Sequence, residues 1–209
     1  MSRLGLFPLP LVLVPTERLP LHIFEPRYKE LIGECLTNGT EFGVVLSADG
    51  GEAHDVGTRA SIVEVLIEHP DGSMDIVVEG GERFHLVETH YDRTFLSGTV
   101  EDVIDVEDDP EDLDVGRVLA LYDRLIEAAG EDEEIEPLDG GSGLLDWEIT
   151  ARADLPPPAK QELLELTSPR RRYAILAERL ESAFGAAGLR KRVSDRAAHN
   201  GRVVPHDEL

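Results

Sequence analysis

Apolar positions recur along this chain in two rhythms, and the change from one to the other divides it. From Leu4 to Val14 the run is densely apolar but broken by Pro8 and Pro10. Proline removes a backbone donor and disrupts a helix interior, so extended structure is expected here, at a sheet edge or opening a barrel. Between Pro26 and Leu36 the residues Tyr28, Leu31, Ile32 and Cys35 recur at helical spacing, with Pro26 suited to a first turn and Asn38-Gly39 to a stop. Phe42 to Leu46 is a compact apolar run, and Ile62 to Ile67 and Met74 to Val78 flank the turn signal His69-Pro70-Asp71-Gly72, which predicts a hairpin. Met74, Ile76 and Val78 alternate, Phe84 and Leu86 do the same, and Phe95 to Val106 reads as a further strand. Residues 1–106 are therefore expected to be β-rich with one short inserted helix, and the spacing of short strands predicts a small, partly closed barrel.

Past Glu107-Asp108-Asp109-Pro110 the alternation gives way to helical spacing. Val115, Val118, Leu119, Tyr122, Leu125, Ile126 and Ala129 mark one helix face, and Gly130 offers an end. Glu131 to Gly143 is acidic and glycine-rich, so an exposed, mobile loop is expected. Leu144 to Ala153 and Ala159 to Leu166 predict two short helices, with extended backbone across Pro156-Pro157-Pro158. Ser168-Pro169 opens a last helix whose apolar face, from Tyr173 to Phe184, runs to Gly185. The chain thus reads as α+β: a β-rich part over 1–106, a helical bundle over 107–189, and a tail over 190–209 that lacks periodicity and is expected to be disordered.

The formal net charge is -23, which opposes contact with phosphate backbones and anionic lipid, so neither a nucleic-acid nor a membrane partner is expected. Acidic residues crowd Glu101 to Glu136, while Arg170 to Arg172 and Arg190 to Arg192 leave a small basic footprint that pairing with nearby acidic sequence would absorb. Arg3 and the apolar run after it imitate a secretion signal, but Pro8, Pro10 and Pro15 break the helix such a signal needs and no small-residue cleavage pattern follows. The terminal His206-Asp207-Glu208-Leu209 spells a retention address that has meaning only with an entry signal. A single cysteine fits a reducing compartment, and a cytoplasmic location is expected.

A phosphate-binding loop needs glycine immediately before its lysine, and none of Lys29, Lys160 and Lys191 follows one. Gly141-Ser142-Gly143 completes neither a dinucleotide loop nor a nucleophile elbow. His22, His54, His69, His85 and His90 show no ligand spacing along the chain, the acidic segment lacks an EF-hand pattern, and Cys35 on an apolar helix face reads as a packed thiol. No catalytic residue, cofactor or metal is expected.

The ordered stretch LFPLPLVLVPTERLPLHIFEPRY resembles the opening of the N-terminal, substrate-binding domain of Lon proteases. The resemblance continues at FGVVL (42–46), GTRASIVEV (57–65), DIVVEGGERFHLVE (75–88) and KQELLEL (160–166), and so covers residues 4–185. It implies a PUA-like pseudo-barrel with an inserted helix followed by a helical bundle, and a non-catalytic module that recognises unfolded or exposed protein segments. It departs from the full family pattern in carrying neither ATPase nor Ser-Lys protease motifs. The strand-to-helix corner is the candidate peptide groove: Leu21, Phe24 and Tyr28 for apolar contact, His22 beside them, and Arg27 for a carboxylate or carbonyl. Two other readings stand beside it: PUA-like barrels that bind RNA, and an adaptor subunit docked on a protease or chaperone complex.

Overall fold

A computed structural model describes residues 1–47, 53–129, 138 and 142–200. Six strands are placed among them: β1 (Ser2–Leu9), β2 (Arg18–Ile23), β3 (Phe42–Leu46), β4 (Val56–Glu68), β5 (Met74–His90) and β6 (Ser97–Asp102). Five helices accompany them: α1 (Pro26–Asn38), α2 (Asp112–Ala129), α3 (Leu145–Arg152), α4 (Pro157–Glu165) and α5 (Pro169–Asn200). The α+β class expected from the two rhythms is the class observed.

The sheet order is β2-β5-β4-β3-β1-β6, and β6 pairs in turn with β5. Five strands therefore form a closed ring, with β2 attached outside it. The length of β5 makes both possible, because Met74 to Glu79 pairs with β2 while Phe84 to His90 pairs with β6. β1 opens this barrel. It meets β6 through Ser2–Gly5 and β3 through Leu6–Leu9, so each half has one strand neighbour and Pro8 sits where a missing N–H costs least.

α1 follows its sequence signals closely: Pro26 lies in the first turn, and Gly39 ends the helix at φ 61°, the left-handed conformation glycine adopts without penalty. Its buried residues Tyr28, Leu31, Ile32 and Cys35 pack against Phe7, Phe42, Ile76 and Ile23 of the strands. Burial pushes the Cys35 thiol up from its usual value, which fits a packed rather than a reactive thiol. A separate core under the helices gathers Trp147, Ile149, Leu163, Leu176 and Leu180, and it also takes Val12 and Val14 from the segment after β1. That segment stitches the two halves together.

Two helical expectations need correction. Pro157 and Pro158 open α4 instead of extending the linker before it, because first-turn N–H groups have no intrahelical partner and proline loses nothing there. α5 runs through Gly185 to Asn200, into the stretch expected to be disordered. Gly185 and Gly188 each cost a helix only about 1 kcal/mol relative to alanine, too little to stop one continued by Ala, Leu, Lys and Arg. Residues 201–209, and 131–137 and 139–141 of the acidic loop expected at 131–143, lie outside the described residues. No helix among the described residues is long and apolar enough to cross a membrane.

Candidate functional site

The hairpin of β4 and β5 projects past the ring, with β2 laid along it. Its turn is well held: the Ser73 amide and hydroxyl donate to the Asp71 carboxylate at 3.0 and 2.7 Å, and Lys29 Nζ donates to the Asp71 carbonyl at 2.9 Å. The two Ser73 hydrogen bonds hold the Asp71 carboxyl down to about 2. Gly72 turns the corner at φ 77°.

Strand pairing decides what each face of this flap shows. Leu21 lies opposite Ile76, and Ile23 opposite Met74, on the face that packs on the core. Pro20 lies opposite Val77 and His22 opposite Asp75 on the other face. β3 pairs with β4 only as far as Ala60. From Ser61 to Glu68, β4 has β5 on one side and, among the described residues, no strand on the other. Along this free edge Val63, Val65, Leu66 and Ile67 are 46%, 36%, 50% and 51% exposed, and Phe24 at the end of β2 is 60% exposed. Register shifts after Ile62 and Val65 mark irregularities that bend the edge.

The corner residues expected from sequence divide between two environments. Tyr28 is buried and stacks on Phe7 at 4.0 Å, so it serves the packing of α1 on β1 and offers no surface to a ligand. Leu21 is half-buried against the same core. Arg27 is exposed, donates to Glu25 at 2.9 Å and lies over the Tyr28 ring at 4.5 Å. His22 and Phe24 are exposed and stacked, 5.7 Å between ring centroids. Sequence reasoning missed the β4 edge, although the run VEVLIE places apolar residues on both sides of a strand and so marks one that cannot bury them all.

A second feature lies between barrel and helices. Arg172, which is 2% exposed, donates to Asp146, to Asp105 at 2.6 and 3.1 Å, and to the Leu166 carbonyl at 2.9 Å. Arg83 from β5 donates to Asp105 and to the carbonyls of Leu164 and Leu166 at 2.8 and 2.7 Å. Both guanidinium groups lie over the Trp147 ring, at 4.3 and 5.1 Å. A cavity of about 540 Å³ opens beside them, lined among others by Pro15, Thr16, Ile104 and Leu144. Arg172, Arg83, Asp105 and Asp146 beside it are already satisfied by each other, which makes this a clamp between the two halves. Burial alone would raise the Asp105 carboxyl, but the Arg172 and Arg83 hydrogen bonds and charges outweigh that and hold it below the usual carboxylate range. A carboxyl held lower in the folded than in the unfolded chain contributes stability above the unfolded value, and loses it as pH falls through the folded one. Urea midpoints are therefore expected to fall on acidification from about pH 4, less steeply for Asp105→Asn; equal slopes would remove Asp105 from the acid response.

This fold is shared with the N-terminal domains of Lon proteases. The crystal structure of a Lon N-terminal domain protein from Xanthomonas campestris superposes with a TM-score of 0.66 at 26% identity, covering 84% of this chain and 97% of that one. The N-terminal domain of Mycobacterium avium complex Lon protease superposes with a TM-score of 0.68 over 86% of this chain and 98% of that one, and at 15% identity it shows the fold alone. The chain belongs to the ATP-dependent protease La (LON) substrate-binding domain family, whose model matches residues 3–182. Lon protease of Parabacteroides distasonis is 33% identical over 109 residues, 49% of this chain and 13% of that protein. Lon protease of Paraburkholderia phytofirmans is 28% identical over 172 residues, 74% of this chain and 21% of that protein. The chain thus spans about an eighth to a fifth of the length of these curated relatives.

Proposed function

We propose that this chain is a binding module without catalysis of its own, which takes up exposed apolar segments of other proteins along the free edge of β4, with Phe24 close by on the flap. The observation that carries this is the edge itself. From Ser61 to Glu68 the side of β4 turned away from β5 meets no strand among the described residues, and exposed Val63, Val65, Leu66 and Ile67 lie along the same stretch. An extended peptide can add to such an edge through main-chain hydrogen bonds that ignore sequence, while apolar side chains favour segments a folded protein would hide. That combination suits a receptor for many unfolded clients, and it agrees with membership of a substrate-binding family.

The charge distribution favours protein over RNA. Of the arginines that could have formed a basic footprint, Arg170 pairs with Asp108 and Glu111 at 3.1 and 3.3 Å, and Arg172 is buried in the clamp. Neither is disposed to meet phosphate.

The proposal is tested by fluorescence anisotropy with a labelled, reduced and carboxymethylated protein that cannot refold. The variant Leu66→Ser/Ile67→Ser is expected to bind about tenfold more weakly or worse, since two exposed apolar anchors are lost. Its melting temperature should stay close to the parent's, because both side chains are half exposed. Absence of binding by the parent chain, or equal affinity in the double variant, rejects the β4 edge.

A further inference from the structure

Beyond peptide binding, and independent of it, we propose that His22, His69 and Asp75 form a site for a divalent transition-metal ion of the zinc class. His22 lies 53 residues before Asp75 and meets it because β2 pairs with β5, while the hairpin turn brings His69, six residues before Asp75, to the other side of the same carboxylate. His22 Nδ1 lies 2.6 Å from one Asp75 oxygen and His69 Nε2 lies 3.0 Å from the other. All three donor atoms fall within 4.8 Å of one another. The spacing of the histidines along the chain had suggested no metal ligands; pairing across strands supplies what spacing could not.

The donor set is selective. Two imidazole nitrogens and one carboxylate suit zinc, cobalt, nickel or copper, whereas magnesium and calcium require oxygen-rich shells. Ligands 2.0–2.2 Å from a tetrahedral ion stand roughly 3.3–3.6 Å apart. The 2.6 Å contact of His22 must therefore open by roughly 0.7–1.0 Å and the 3.0 Å contact of His69 by roughly 0.3–0.6 Å while the two rings swing toward one point. Nothing packed prevents this, because the His22, His69 and Asp75 side chains are 53%, 37% and 30% exposed. The backbone beneath them is fixed, by the β2–β5 ladder and by the hydrogen bond from the His69 amide to the Ser73 carbonyl at 2.8 Å. Rigid strands with adjustable side chains are a favourable platform for a metal site. Three protein ligands leave a fourth position open to water. The ion would replace protons that His22 and His69 now share with Asp75, and the chain's net charge of -23 raises the local concentration of cations. Occupied, the site would tie β2 to the hairpin turn and lock the ring on which Phe24 stacks.

Isothermal titration calorimetry of the full chain with zinc chloride is expected to show one equivalent bound in the micromolar range, with no heat from magnesium or calcium. His22→Ala and His69→Ala should each weaken binding by about tenfold or more, as loss of one of three ligands requires. A readout on the unaltered chain guards against misfolded variants: cobalt should broaden the ring resonances of His22 and His69 before those of the other five of the seven histidines. No zinc heat, unchanged affinity in His22→Ala/His69→Ala, or cobalt broadening led by other histidines would each overturn the proposal.

Discussion

Replacing Arg172 with alanine is expected to cost about 3–5 kcal/mol of stability, the range for removing one member of a buried ion pair. The loss is large because it orphans several groups at once. Asp146 is 2% exposed and would lose the cation hydrogen-bonded to it, Asp105 would retain only Arg83, and the Leu166 carbonyl would lose one of its donors. The face of Trp147 would also lose the cation 4.3 Å above it. Arg172→Lys is expected to recover only part of the loss, since an ammonium cannot reach Asp146, Asp105 and a carbonyl with one planar fork. Guanidinium unfolding curves decide it. A cost below about 1 kcal/mol, the scale of an exposed ion pair, would mean the clamp does not hold the two halves together.

Gly80→Ala should be nearly as damaging, for a steric reason. A Cβ at Gly80 would lie 2.1 Å from the Val14 carbonyl oxygen and 3.2 Å from Leu13 Cγ. The two backbones are held close by design of the hydrogen bonds: Thr16 N–H donates to the Gly80 carbonyl at 2.8 Å, and Gly80 N–H donates to the Glu17 carbonyl at 2.9 Å. Glu17 is itself anchored, accepting from Lys160 at 2.6 Å and from the Val14 amide at 3.0 Å. Thr16 holds φ 68°, an unfavourable conformation for a β-branched residue, so this crossing already carries strain. With no flexible side chain to yield, a cost of about 3 kcal/mol or more is expected, at the upper end of overpacking effects. Gly116→Ala is the control. It sits within α2 with nothing inside 4 Å of the added carbon, and a gain of up to about 1 kcal/mol is expected there. Similar melting temperatures for the two variants would contradict the close crossing.

These two positions also show where sequence reading stops. Local signals were fully legible: the turn at His69 to Gly72, the proline that opens α1 and the glycine that ends it all act within a few residues of themselves. The barrel was legible as a class from strand spacing. Its closure was not, because Gly80-Gly81 looks like an interruption between two alternating runs. In the structure these glycines keep one 17-residue strand continuous beneath a crossing segment, and only distant residues explain why. The same holds for Arg172. Three consecutive arginines read as a small basic footprint that nearby acidic sequence would absorb, as it does for Arg170, and nothing near them in sequence announces Asp146 or Trp147. At the corner, Leu21 to Tyr28 was correctly located as a junction between strand and helix, but burial splits its members: Tyr28 faces inward and Phe24 outward. Apolar character alone does not distinguish a residue that builds a surface from one that presents it.

The free edge of β4 has a consequence for the protein's behaviour in concentrated solution. A strand that can accept an unfolded client can equally accept the same strand of another molecule, the first step toward an aggregate. Two features stand against that. The irregularities after Ile62 and Val65 break the flat repeat that stacking requires, and Glu64 and Glu68 on the edge would confront their own copies as like charges. An incoming client carries no such matched charge. Repulsion of this kind weakens as salt shortens its range to a few ångströms, so under the proposed function the acidity of the chain would act as a filter that separates strangers from self, with ionic strength setting how finely it sorts.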